Sequence, residues 1–198
     1  MQHLVWKEQN LTITQLTTAD AKRLSVLANR AYLDHYTHLW ENSDTTWYRE
    51  KSFNVTQLQH ELSDDNARFF IATDGAEDLG FLKVNLFKPL SIENVAPPIF
   101  TNTKFNIAEI PNALELERIY LTKSAQYRGI GRRLTELSFD LARARGHDAV
   151  WLKVMDTNDD TIRFYEKMGF EKCGAMMLNF EKMKPILRGM FLMKKTLI

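Results

Sequence analysis

The sequence predicts a mixed α/β fold in a single domain spanning residues 1–198, and three observations carry that reading. Segments with strand-like alternation are interleaved with segments whose apolar residues recur at helical spacing. A strand, a glycine turn and a helix with a clean apolar stripe follow one another between Ala113 and Ala144. At 198 residues the chain suffices for one sizeable core and is short for two full domains.

From the N-terminus, Leu11 to Leu16 alternates as a half-buried strand does, and Thr17, Thr18 and Asp20 offer caps for a helix. That helix carries Leu24, Leu27, Ala28 and Ala31 on one face. A polar break at Asn42 to Asp44 precedes a second helical stretch from Trp47 to Leu62, and the region between is aromatic-rich. Arg68 to Thr73 and Leu79 to Phe87 are β-type runs separated by Asp74-Gly75, which predicts a hairpin. From Lys88 to Asn112 periodicity is lost and Pro89, Pro97, Pro98 and Pro111 accumulate, which predicts a long loop.

Ala113 to Leu121 is a strand, and Ile130, Leu134, Leu137, Leu141 and Ala144 form the apolar stripe of the following helix, which ends near Gly146. Ala149 to Met155 is strand-like, Thr161 to Met168 is a short helix closed by Gly169, and strand-like segments run from Phe170 to Phe180 and from Arg188 to Leu197. The apolar end from Met190 to Ile198 is a candidate for pairing or packing across a homodimer.

Composition narrows the partners. Lys plus Arg (26) nearly cancels Asp plus Glu (25), so no global field draws the chain to nucleic acid or an anionic membrane. Cys173 is the only cysteine, which excludes an internal disulfide and Cys-based metal sites and fits a reducing, cytoplasmic setting. Met1 to Asn10 lacks a signal-peptide pattern, and no apolar run reaches the length of a membrane span. His35, His38 and His60 come without further ligands nearby in sequence, so no metal is expected.

The strongest local signal is Gln126-Tyr127-Arg128-Gly129-Ile130-Gly131, placed between a strand and the best-patterned helix. A helix start leaves backbone N–H groups unpaired and partially positive, so glycines that admit a diphosphate there make an anion site. Arg128, Arg132 and Arg133 add charge-assisted contacts. A P-loop would need a Gly-Lys-Ser/Thr that is absent, and a dinucleotide fingerprint would need a third glycine where Leu134 stands. The bland competing reading is a plain helix-entry turn.

Asn158 after the next strand, then Phe164-Tyr165 ahead of Met168-Gly169-Phe170, complete a longer pattern. Q-x-x-G-x-G, a strand, an Asn and F-Y-x-x-x-G-F resembles the GNAT superfamily of N-acetyltransferases over about Ala113 to Gly174. The Glu115-to-Leu121 strand, Gly80-Phe81-Leu82-Lys83-Val84-Asn85 and Tyr36-Thr37-His38-Leu39-Trp40 are similar to the PaiA-type polyamine acetyltransferase branch, while the tail from Ala175 departs from it. The resemblance implies a central, mostly antiparallel, splayed sheet flanked by helices, with acetyl-coenzyme A as co-substrate. It places the diphosphate on the amides of Tyr127, Arg128, Gly129, Ile130, Gly131 and Arg132, beside Gln126 and Asn158. The pantetheine arm then pairs like a strand with Ile119, Tyr120 and Leu121.

Acetyl transfer needs a neutral amine, a donor for the oxyanion and a proton for the departing thiolate. Glu115 and Glu117 are the candidate carboxylates, with Glu117 as base and Glu115 attracting the amine. They share a strand face with Ile119 and Leu121 and are expected to shift each other's pKa. Their competing reading is a solvated face or pairing with lysines. The backbone N–H near Tyr120 or Leu121 is the candidate oxyanion donor, and the resemblance implies that Tyr165 protonates the thiolate. Tyr165 reads otherwise as an aromatic packed beside Phe164, and Asn158 as a helix cap. Tyr36, Trp40, Trp47 and Tyr48 read as core or lid residues whose faces also suit an ammonium.

The acceptor implied is a small polyamine, with an aminoglycoside-like drug or a protein N-terminus left open. A rival function is a non-catalytic acyl-coenzyme A-binding regulator, which would not need the glutamates or Tyr165.

Overall fold

The computed structural model describes residues 3–8, 10–91 and 109–197. Eight strands and five α-helices are assigned among them, in the sheet order β1-β2-β3-β4-β5-β6-β8-β7. The chain groups into two compact units, residues 1–85 with 117–136 and residues 86–116 with 137–198, so one strand and one helix run through both.

The first unit opens with β1 (His3–Glu8), an element the sequence reading did not anticipate, antiparallel to β2 (Leu11–Gln15). The Asp20 carboxylate accepts from the Thr17 N–H and hydroxyl at 2.9 and 3.0 Å, which sets the entry to α1 (Ala21–His35). The stripe expected on α1 is its buried face, with Leu24, Leu27, Ala28 and Ala31 all at 3% exposure or less. It packs against α3 and β4.

The single helical stretch expected from Trp47 to Leu62 is instead two helices, α2 (Thr46–Phe53) and α3 (Val55–Ser63). Asn54 separates them because its side chain accepts the Gln57 N–H at 2.9 Å while its backbone is extended, an N-cap that ends one helix and starts the next. The hairpin is present as β3 (Ala67–Thr73) and β4 (Asp78–Asn85), antiparallel, with the Asp74 carboxylate accepting from the Ala76 and Glu77 N–H groups in the turn. β4 then meets the last five residues of β5 (Ala113–Leu121) so closely that a Cβ at Gly80 would lie 2.6 Å from the Tyr120 carbonyl oxygen. Only glycine fits there.

In the second unit the first four residues of β5 pair in parallel with β6 (Ala149–Met155), in the register Ala113↔Ala149 to Leu116↔Leu152. β8 (Gly189–Thr196) lies antiparallel between β6 and β7 (Glu171–Met177), so both its hydrogen-bonding edges are filled. Of the two ways expected for the Met190 to Ile198 end to join a homodimer, edge pairing is closed off along β8, which leaves packing by its faces. Leu90, Ala113, Trp151, Cys173 and Leu192 form a core cluster here, and the Trp151 indole donates to the Lys88 carbonyl at 2.8 Å.

Helix α4 (Ile130–Ala144) begins in the first unit and its residues from Leu137 belong to the second. Ile130, Leu134 and Leu137 are buried as expected, but Ala144 is exposed, and Thr135, Ser138, Phe139 and Ala142 widen the buried face. Helix α5 (Asp159–Lys167) starts two residues earlier than the apolar pattern indicated, because Asn158 caps it and Asp159 and Asp160 occupy its first turn. Most of the expected Lys88–Asn112 loop lies outside the described residues; a bridge between Leu90 and Ile110 bounds it. Among the described residues no helix is long and apolar enough to cross a membrane.

Candidate active site

Within the first unit β5 leads into the glycine turn. Thr122 ends the strand by donating its N–H and its hydroxyl to the Leu79 carbonyl at 2.9 and 3.1 Å, which ties the turn to β4. Tyr127 has φ 59° and Gly129 φ 74°, so two left-handed residues flank Arg128 just before α4. Left-handed backbone is uncommon for tyrosine, and its side chain is fully exposed, so nothing in packing holds it there.

The first backbone bond spanning four residues in α4 runs from the Arg133 N–H to the Gly129 carbonyl at 3.1 Å, so the N–H groups before it have no intrahelical acceptor. Alternating backbone of this kind aims successive N–H groups into one concavity suited to an anion. Gln126, Arg128 and Arg132 are exposed around it, and Arg128 is held by Asp74 at 3.1 Å. Arg133 lies with its guanidinium 5.0 Å from the Trp6 ring centre. The residues expected to hold a coenzyme on β5 and in the turn therefore fall in one unit, together with Glu117, while Glu115, Asn158 and Tyr165 belong to the other.

The two glutamates fall in different units, and each is paired with cations there. In the second unit the Glu115 carboxylate, 4% exposed, pairs with Lys153 at 2.9 Å. In the first unit Glu117 meets Lys83 at 2.7 Å and Arg118 at 2.9 Å and accepts from the Asn85 amide at 2.8 Å. Burial pushes the Glu117 pKa up, but Arg118, Lys83 and Asn85 more than offset this and hold it below the usual carboxylate range. Pairing with lysine, the competing reading, is thus present at both carboxylates.

Glu61, near the end of α3, shares both cations, with Lys83 at 2.8 Å and Arg118 at 3.0 Å. Sequence reading assigned no role to Glu61, Lys83, Asn85 or Arg118. One signal was available: Lys83 interrupts a strand whose neighbours Phe81, Leu82 and Val84 are fully apolar, and a lysine in such a run needs a buried counter-charge. Glu61 carried no comparable signal, since glutamate on a helix is usually solvated.

Beside this network Tyr120 is enclosed by aromatic rings. Its ring centre lies 5.3 Å from Tyr36, 5.5 Å from Phe81, 5.8 Å from Tyr32 and 5.9 Å from Phe53, and its hydroxyl is 3.5 Å from that of Tyr48. Burial raises the pKa of Tyr120 well above the ordinary phenol value and pushes Tyr36 up to about 12, so both stay protonated donors at neutral pH. Trp40 is buried and donates to the Tyr32 hydroxyl at 2.8 Å.

In the second unit the Asn158 side chain accepts the Thr161 N–H at 3.1 Å, which is the capping role. Tyr165 is largely buried, with ring centres 5.1 Å from Phe164 and 5.5 Å from Phe170. Among the described residues no group of three or more His, Cys, Asp or Glu could hold a metal ion.

Comparison with known proteins follows the same lines. The chain is 26% identical over 160 residues, 81% of its own length and 84% of the other's, to an uncharacterized N-acetyltransferase in the pepI 3′ region of Lactobacillus delbrueckii subsp. lactis. Its fold matches the PaiA N-acetyltransferase of Thermoplasma acidophilum, solved with coenzyme A, at TM-score 0.66 and 18% identity, covering 94% of this chain and 98% of that one. It also matches the spermidine N-acetyltransferase SpeG of Vibrio cholerae, in its N152L form, at TM-score 0.63 and 16% identity, covering 96% and 95%. At these identities the structural likeness concerns the fold. Residues 32–170 match the pattern of the Acetyltransferase (GNAT) family, and since that span holds β5, the glycine turn and α5 alike, the chain belongs to this family of N-acetyltransferases.

Proposed function

We propose that the enzyme transfers the acetyl group of acetyl-coenzyme A to a primary amine, with small polyamines as the acceptor class. The observation that carries the donor half is the turn before α4, where Tyr127 and Gly129 take left-handed backbone and the first helical N–H groups are left without intrahelical acceptors. A diphosphate satisfies those donors. Arg132 is exposed beside them and adds charge.

In the reaction the neutral amine nitrogen attacks the thioester carbon, the C–S bond breaks, the amine loses a proton and the sulfur gains one. A backbone N–H near Tyr120 or Leu121 would steady the oxyanion. Glu117, kept ionised by its cations, suits an attracting and relaying role: it draws the ammonium, and the proton leaves through water rather than resting on the carboxylate. Glu115, buried against Lys153, is better read as part of the packing of its own unit. Tyr165 is the proposed proton donor to sulfur, and Asn158 joins its capping role to a contact with the coenzyme.

The polyamine assignment rests on the branch resemblance and is supported by fold likeness to a spermidine acetyltransferase. The test is thiol release from acetyl-coenzyme A in the presence of mono-, di- and polyamines, against Glu117→Gln and Tyr165→Phe. Amine-dependent release that is greatest with polyamines and collapses in the variants supports the reading. Coenzyme binding without release for any amine would move the protein to a non-catalytic role, and release only with another amine class would reassign the acceptor.

A further inference from the structure

Glu61, Lys83, Glu117 and Arg118 form a closed ring of alternating charge, in which each cation touches both carboxylates. Their side chains are 11%, 8%, 23% and 14% exposed, so the ring is largely out of water. It joins three elements: Glu61 comes from α3, Lys83 from β4 and the other two from β5. Gln57 donates to Glu61 Oε1 at 2.9 Å and Asn85 to Glu117 Oε2, so all four carboxylate oxygens are engaged. Lys83 Nζ also stands 5.6 Å from the Phe69 ring centre, which restricts its movement.

Two positive and two negative charges cancel. A ring of this kind is not explained by stability, because taking four charges out of water costs about as much as their attraction returns, and apolar replacements commonly do as well. On the reading that Glu117 meets the acceptor amine, the ring would set the charge that an incoming ammonium finds there. We propose that Lys83 is a specificity-determining residue: by cancelling one charge of the Glu61–Glu117 pair, it sets how strongly the acceptor site prefers polycationic over monocationic amines. This rests on the amine-acetyltransferase reading above. It implies that a ring without Lys83 carries a net negative charge, and that one without the Glu61 carboxylate carries a net positive charge.

The test measures binding of propylamine and spermidine by calorimetry, and their acetylation, in the native enzyme and in Lys83→Met, Lys83→Arg and Glu61→Gln, each first checked for folding by circular dichroism. The preference for spermidine over propylamine should rise at least about tenfold in Lys83→Met, fall by a comparable factor in Glu61→Gln and stay near native in Lys83→Arg, and salt should compress the differences. If Lys83→Met does not fold, the opposite shift in Glu61→Gln still carries the test. A preference that is the same in all folded variants overturns the proposal while leaving the enzyme reading intact. If the native protein neither binds nor acetylates any amine, the underlying reading fails and the proposal falls with it.

Discussion

Glu117 and Arg118 are consecutive residues of one strand, yet their side chains meet at 2.9 Å, although neighbours on a regular strand point to opposite faces. Both also reach Lys83 or Glu61, so the pair belongs to a network that selects the charged form of each carboxylate. Burial pushes the Glu61 pKa up as it does that of Glu117, and here too the cations, with Gln57, win and leave it lowered. A carboxylate whose folded pKa is depressed stabilises the fold fully above its unfolded pKa and loses that contribution as pH falls through the folded value. Urea unfolding followed from neutral pH downward should therefore show stability falling once the pH drops below the ordinary carboxylate value of about 4. In Glu117→Gln the dependence should be shallower by about one proton. An unchanged slope would show that the network contributes no linkage.

The Glu115–Lys153 pair makes an asymmetric prediction. Glu115 is 4% exposed and Lys153 33%, so the lysine can turn to water when its partner is neutralised, but the carboxylate cannot. Lys153→Met should cost about 2–3 kcal/mol and Glu115→Gln about 1 kcal/mol or less. Equal costs in denaturant titrations would mean that Glu115 is better solvated than its burial indicates.

Asn158 carries two roles that can be separated. Asn158→Ala removes the acceptor for the Thr161 N–H and should destabilise the protein by about 1 kcal/mol. Asn158→Asp keeps a capping oxygen and adds negative charge at a helix N-terminus, so native stability should be retained. If Asn158 also donates its amide to the coenzyme, the Asp variant should bind acetyl-coenzyme A more weakly at unchanged melting temperature. Parallel binding and thermal-shift measurements read the two separately, and unchanged affinity leaves only the cap.

Cys173 is buried, its thiol points to the Leu192 carbonyl at 3.5 Å, and burial pushes its pKa up to about 11. The thiolate is the reactive species, so a thiol reagent at neutral pH should modify the folded protein only at the rate of its opening, and rapidly once it is unfolded. Thiol release during turnover then reports coenzyme alone. Fast stoichiometric labelling of the native protein would contradict the burial.

Most elements were legible because each rests on a local signal. The alternation of Leu11 to Leu16, the Asp74-Gly75 turn, the β5 span and the α1 stripe all appear where periodicity placed them. The break at Asn54 was missed because α2 and α3 together look like one amphipathic run, and only the cap geometry shows the chain turning. β1 was missed because a first strand is recognised by the partner it pairs with rather than by its own pattern.

For the site, the run from Gln126 to Gly131 by itself determined a glycine turn leading into a helix, because the backbone at such a start is fixed by local geometry, whatever the rest of the chain does. The longer pattern, through Asn158 to Gly169, carried the resemblance to the family that residues 32–170 match. What only the tertiary structure decided is where charge is matched. Lys83 and Arg118 each meet both Glu61 and Glu117 across three elements, and Glu115 meets Lys153. Counter-charges find one another through folded space at distances of a few ångströms, and linear order holds no record of which glutamate ends beside which lysine.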